Sequence, residues 1–162
     1  MFVARMLPGD RDALDAIARV TGSDVTFEHE LARTWSRIWV ARLEPGAQDP
    51  IGFSLAWAVA DELHLINLAV HPDWRRQGAA SALLQTLIEH ASTERVRLVL
   101  LEVRRSNRAA IHLYRAHGFT AMGVRRRYYA DNAEDAIEMM LALDPATGSV
   151  LRGRDEIQSF EA

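Results

Sequence analysis

The sequence predicts an α/β fold: a mixed, twisted central sheet with helices on both of its faces. Three observations carry this. Apolar residues recur at strand period in some segments and at helix period in others, and the two kinds alternate along the chain. A helix-period stretch, residues 78–90, lies between the strand-like runs "INLAV" and "VRLVLLEV", the pattern of a parallel crossover. The length of 162 residues, with 49% hydrophobic and 25% charged, suits one domain with a real core.

The elements follow in order. "FVARML" reads as a first strand, and Pro8, Gly9 and Asp10 turn the chain. Asp10 is placed to cap a helix from Arg11 to about Val20, with Leu14, Ile17 and Ala18 on its inner face. "TGSD" breaks that helix, and a second is expected from about Thr26 to Trp35. "RIWVARL", "IGFSLAWAV" and "ELHLINLAV" are strands, joined by "EPGAQDP" and "AD" in an antiparallel meander. The long helix runs from about Gly78 to His90, with Ala80, Leu83, Leu84, Leu87, Ile88 and Ala91 on one face.

"VRLVLLEV" is apolar almost throughout, as expected of a strand covered on both faces. "NRAAIHLYRAHG" is a helix that Gly118 should stop in the left-handed conformation. "FTAMGVRRRYYA" and "AIEMMLAL" are the last strands, joined by the acidic loop "DNAED". There are no repeats and no second domain. Residues 1–143 are expected to form one domain and residues 144–162 a polar C-terminal tail.

Composition excludes several classes. The net charge of −3 gives no bulk electrostatic case for nucleic-acid binding. No apolar run is long enough to span a membrane, and the N-terminus does not read as a signal peptide. With no cysteine there is no disulfide, thiolate metal site or cysteine nucleophile, which suits a cytoplasmic setting. All 19 basic residues are arginines. A Walker-type phosphate loop and Schiff-base chemistry both need a lysine, so both are excluded. "HELAR" at His29 has Arg33 where a zinc-protease motif needs its second histidine, and no other pair has ligand spacing. No metal is expected.

Chemistry concentrates in a few places. Arg75, Arg76 and Gly78 stand where a helix begins. Helix N-termini carry unpaired N–H groups and partial positive charge, and glycine admits close approach, so an anion such as a phosphate is expected there. Glu102 lies in an otherwise Leu/Val strand. It is either a buried carboxylate with raised proton affinity or a glutamate that has reached solvent. Tyr114, inward on its helix, is a core residue or a functional phenol. Asn107 is placed as an N-cap. The arginine runs Arg104–Arg105 and Arg125–Arg127 are solvated faces or contacts to a phosphate or acidic substrate.

Together these motifs resemble the GCN5-related N-acetyltransferase family. That family's cofactor motif is Arg or Gln, two residues, Gly, one residue, then Gly or Ala. Here it reads Arg75-Arg76-Gln77-Gly78-Ala79-Ala80 after "INLAV". Some thirty residues on, Asn107, Ala110, Ile111, Leu113, Tyr114, Gly118 and Phe119 fit a second family pattern. The resemblance covers about residues 2–143. "LEVRRSNRAAIHLYRAHGF" and "VRRRYYADNAEDAIEMML" are most similar to the RimI type, the bacterial ribosomal-protein alanine N-acetyltransferases. That group's Pro-Trp-Ser-like segment between the first two helices is replaced here by "TGSDVTFEHEL".

The resemblance implies the family's fold and an enzyme. It would transfer acetyl from acetyl-CoA to the N-terminal α-amine, an alanine, of a small-subunit ribosomal protein by direct attack. Glu102 would accept the proton and Tyr114 donate one. Leu68, Ala69 and Val70 would flank the pantetheine arm, with a backbone N–H near Val70 facing the oxyanion. Arg76, Gln77, Gly78, Ala79, Ala80 and Ser81 would hold the pyrophosphate, Arg75 would bind the cofactor as the first residue of the motif, and Asn107 would make a further cofactor contact. Tyr128 and Tyr129 would hold the peptide, and Asp131, Glu134 and Asp135 would attract its basic residues. A monomer or weak dimer is expected, with no nucleic-acid or membrane partner. The alternatives are an acetyltransferase for a small amine and a non-catalytic acetyl-CoA sensor.

Overall fold

The structure is a computed structural model and describes residues 1–157. Among these the fold is α/β, with eight strands in a mixed sheet and four α-helices. The chain divides into two compact units. One comprises Met1–Val59 and Leu65–His90; the other comprises Ala60–His64 and the chain from Ala91 onward.

The first unit carries β1 (Phe2–Arg5), α1 (Arg11–Thr21), α2 (Phe27–Ala32), β2 (Ser36–Arg42), β3 (Gly52–Val59) and most of β4 (Glu62–Val70). Most of α3 (Ala79–Thr93) also belongs to it. Its strands pair in the order β1-β2-β3-β4, and β2 is antiparallel to both β1 and β3. The period of α1 puts Leu14, Ile17 and Ala18 on one face, as its sequence predicts. They pack with Phe27, Ile38, Val40, Phe53, Leu55 and Ala69. The rings of Phe27 and Phe53 meet edge to face, 4.9 Å apart. Burying two such side chains stabilises the unit by about 2–3 kcal/mol each.

Two expectations change here. Asp10 does not cap α1 with its side chain. Its carboxylate instead accepts from the Leu7 N–H at 2.8 Å and pairs with buried Arg42. A buried guanidinium needs a carboxylate, and that demand outweighs the local cap. The second helix stops at Ala32, short of Trp35, because Arg33 turns extended. Buried Glu30 closes this turn, accepting from Arg33, Ser36 and the Trp57 indole.

The second unit carries β5 (Leu98–Arg104), α4 (Arg108–Ala116), β6 (Thr120–Arg125), β7 (Ala136–Leu143) and β8 (Val150–Leu151). β7 is antiparallel to β5 on one side and to β6 and β8 on the other. Asn107 caps α4, its Oδ1 accepting from the Ala110 N–H at 3.1 Å. Gly118 (φ 93°) stops the helix in the left-handed conformation, as expected.

The expectation that β5 is covered on both faces is corrected. Burial alternates along it: Val99, Leu101 and Val103 are buried, Leu98 and Leu100 half-buried, and Glu102 exposed. Successive Cβ atoms point to opposite faces, and only one of the two is sealed.

The segment after Asp144 is not uniformly a tail. It turns at Gly148 and returns as β8 against Ala142 and Leu143. Further on, Asp155 accepts from the Ala121 N–H at 2.9 Å, and the Glu156 N–H donates to the Ala121 carbonyl at 2.9 Å. The last part of the expected tail, residues 158–162, lies outside the described residues.

Candidate active site

In the first unit, β4 ends at Val70 and a 3-10 turn, Pro72–Trp74, leads to the loop before α3. Leu68 is half-buried, while Ala69 and Val70 are buried. Arg75 folds back so that its Nε donates to the Val70 carbonyl at 3.2 Å. That bond ties the loop to the strand end. Gln77 donates to the Asp73 carbonyl at 3.4 Å.

Arg76 (φ 62°) and Gly78 (φ 88°) are both left-handed. Left-handed residues in such a turn make an anion-binding concavity of N–H groups. The arginine adopts this conformation at a cost of about 1 kcal/mol, a strain typical of ligand-holding loops. A Cβ built on Gly78 meets no atom within 4 Å, so the space before the helix is open. The first helical hydrogen bond runs from the Ala82 N–H to the Gly78 carbonyl at 2.9 Å. The N–H groups of Ala79 and Ala80 therefore have no acceptor within the helix. Arg75, Arg76, Gln77 and Gly78 are exposed, and Ser81 follows half-buried on the first turn. An open helix start with a guanidinium-rich, left-handed loop fits a pyrophosphate.

In the second unit, Glu102 projects from the open face of β5. Its carboxylate accepts from the Tyr128 hydroxyl at 3.2 Å and lies 3.5 Å from the Arg125 guanidinium. Of the two readings of Glu102, the structure has the one that reaches solvent. Tyr114 is buried, with its ring 5.7 Å from that of Phe119. Its hydroxyl makes no hydrogen bond among the described residues. Burial pushes this phenol well above its ordinary proton affinity, and Tyr129 adds to the shift. Tyr114 is therefore a neutral donor throughout the physiological range. Asn107 lies at the start of the same helix, with its Oδ1 already engaged in the cap.

The loop 126–135 presents Tyr128 and Tyr129, whose rings stand edge to face 5.2 Å apart. The Arg104 guanidinium lies 3.9 Å from the Tyr129 ring centroid. Burial raises both phenols, and the Glu102 carboxylate contributes in each case. The acidic residues of this loop do not stand free to attract a peptide. Asp131 pairs with Arg104 at 2.9 Å, and Glu134 pairs with Arg104 at 3.4 Å and accepts from the Ser106 N–H at 2.7 Å. Asp135 pairs with Arg105 at 3.5 Å. Nearby arginines satisfy these charges, so their work is to hold the loop rather than to steer a ligand.

Glu138, on this face, escaped the sequence reading as a site residue, whereas Arg125 belongs to an arginine run read as a solvated face or a contact to a phosphate or acidic substrate. Glu138 is directly opposite Glu102 in the β5–β7 register. Its signal was available: a single charge in "AIEMMLAL", the same oddity that marks Glu102 in its strand.

The fold, a mixed sheet with four α-helices, is of the α/β class, with an open, arginine-bearing helix start in the first unit and an exposed carboxylate beside a tyrosine hydroxyl in the second. The acetyltransferase (GNAT) family model matches residues 11–119, and the chain belongs to that family. Over 93 residues it is 46% identical to the [ribosomal protein bS18]-alanine N-acetyltransferase of Escherichia coli strain K12. That match covers 56% of this chain and 63% of the relative, so it spans less than two thirds of the relative's length. The crystal structure of the ribosomal-protein-S18-alanine N-acetyltransferase from Escherichia coli is similar, with a TM-score of 0.78 and 32% identity. It aligns over 88% of this chain and 94% of that one. Arabidopsis thaliana NAA60 in complex with acetyl-CoA shares the fold, with a TM-score of 0.74 and 20% identity over 86% of this chain and 96% of that one.

Proposed function

We propose that this protein transfers the acetyl group of acetyl-CoA to the α-amine of a protein N-terminus, an alanine of a small-subunit ribosomal protein. The observation that carries the reading is that one unit holds both an exposed carboxylate, Glu102, and a buried neutral phenol, Tyr114, in a chain of the acetyltransferase family. The relatives named for ribosomal-protein alanine acetylation support the choice of substrate.

Acetyl-CoA supplies a thioester whose C–S bond breaks as the amide C–N bond forms. The residues to hold its pyrophosphate are Arg76, Gln77, Gly78, Ala79, Ala80 and Ser81. The strand end Leu68–Val70 suits an amide-rich arm, and the Val70 region suits the developing oxyanion. Glu102 takes the ammonium proton of the incoming amine, directly or through a water. An α-amine has a pKa of about 8, so a modest base suffices. Tyr114 gives its proton to the departing sulfur, and the neutral state imposed by burial keeps that proton available. Tyr128 and Tyr129 hold the peptide backbone through hydroxyls and ring faces.

The test is a panel of substrates with acetyl-CoA. Alanine-starting ribosomal peptides are expected to be acetylated; the same peptides with a blocked N-terminus and an internal lysine are not. Turnover of a polyamine alone would move the assignment to a small amine. Binding of acetyl-CoA without any turnover would make the protein a sensor. Glu102→Gln should lower peptide turnover by about 10²-fold.

A further inference from the structure

Glu102 and Glu138 face each other as a cross-strand pair on β5 and β7. Like charges directly opposite in an antiparallel sheet repel. Arg125, one strand further on β6, lies with both, but unequally. Its Nε donates to Glu138 at 2.7 Å, whereas its nearest approach to Glu102 is 3.5 Å. The hydrogen bond to Glu138 is also the largest influence raising the proton affinity of Arg125.

The backbone is shaped for this arrangement. β6 is irregular between Ala121 and Gly123, which brings Gly123 opposite Glu138. A Cβ at position 123 would sit 2.6 Å from the Glu138 Oε2, so a larger residue there would make the flexible end of that side chain shift. The Tyr128 hydroxyl takes the other oxygen of Glu102. Two carboxylates and one guanidinium leave the cluster one negative charge, which an incoming ammonium would balance.

The geometry points to Glu138 as a positioning residue that draws the Arg125 guanidinium away from full closure on Glu102, so that the substrate's amine can compete for the Glu102 carboxylate. This rests on the role of Glu102 given above. Without Glu138, the carboxylate that Arg125 still pairs with among the described residues is Glu102. A guanidinium closed on Glu102 would compete with the ammonium for the same oxygens.

The experiment compares wild type, Glu138→Gln, Gly123→Ala, and the double variant Glu138→Gln/Arg125→Gln. Glu138→Gln should lower kcat/KM for an alanine-starting peptide about tenfold, with the KM for acetyl-CoA unchanged. Gly123→Ala, which displaces the Glu138 carboxylate without removing it, should act in the same direction. The double variant should recover to within about threefold of wild type, because the competing cation is gone. A purely structural Glu138 would give no such recovery. Wild-type activity in Glu138→Gln, or a double variant no better than the single, overturns the inference. A second readout needs no substrate: in Glu138→Gln the ¹⁵N signal of the Arg125 Nε–H should become dependent on Glu102, moving when Glu102→Gln is added. An unmoved signal overturns the inference even if the peptide proves the wrong substrate. A moved signal with no acetylation of any peptide overturns only the substrate assignment.

Discussion

Arg104 stacks on Tyr129 at 3.9 Å while its guanidinium pairs with Asp131 and Glu134, so one side chain at the end of β5 both supports the ring and ties down the loop that carries it. Arg104→Ala removes all three contacts. The pairs are at the surface, so the global loss should be small, about 1 kcal/mol. The local effect should be larger. Amide hydrogen exchange should rise at Tyr129 and Ala133, and the peptide's KM should increase about three- to tenfold with little change for acetyl-CoA. Unchanged exchange in the loop would mean that the stack does not order it.

Glu134 provides a pH test of the same loop. The Ser106 N–H and its other donors hold its carboxyl down at about 2, against an ordinary value of 4.5. A folded value below the unfolded one means stability that is present above pH 4.5 and is lost as the pH falls toward 2. The loop should therefore stay ordered at pH 5 and loosen only in strong acid. The chemical shift of the Ser106 amide, followed from about pH 6 downward, should report this midpoint. Glu134→Gln should abolish the transition.

Gly78 separates backbone from charge. At φ 88° any side chain is strained, although the space beyond is open. Asparagine tolerates left-handed backbone better than most residues, so Gly78→Asn measures the conformational cost. Gly78→Asp adds a negative charge of nearly the same shape. Acetyl-CoA affinity by calorimetry should fall about tenfold more for Asp than for Asn. Equal affinities would mean that no phosphate sits at this helix start.

Tyr114→Phe should cost activity and not stability. The hydroxyl makes no hydrogen bond among the described residues, so its removal leaves no partner stranded. Turnover should fall about tenfold or more, while the melting temperature holds. Because burial raises the phenol, wild-type activity should show no alkaline loss from this group below about pH 10. A thermal shift without an activity change would make Tyr114 a core residue only.

What could be read from the sequence was what is decided locally. Gly118 stops α4 because the requirement lies within one turn, and the loop that opens α3 is legible because Arg75, Arg76 and Gly78 are contiguous with the helix they precede. The misreadings involve partners far along the chain. Asp10 looked like a cap because Arg42, which claims it, is 32 residues away. Asp131 and Glu134 looked free because Arg104 reaches them across 27 and 30 residues. β8 has two residues and no pattern of its own; it exists only through pairing with β7. Glu102 was ambiguous because an apolar strand says nothing about which of its faces is sealed.

The bonds from Asp155 and Glu156 to Ala121 fall at the edge of the sheet. In the strand order β6 is a terminal member, and such a strand offers unpaired N–H and C=O groups to any passing chain. Here the tail takes up both groups of Ala121 itself, and Arg115 anchors it by pairing with Asp155 at 2.6 Å. At Ala121, a stretch that carries no candidate site residue thus works as a selvedge, the bound border of a woven sheet.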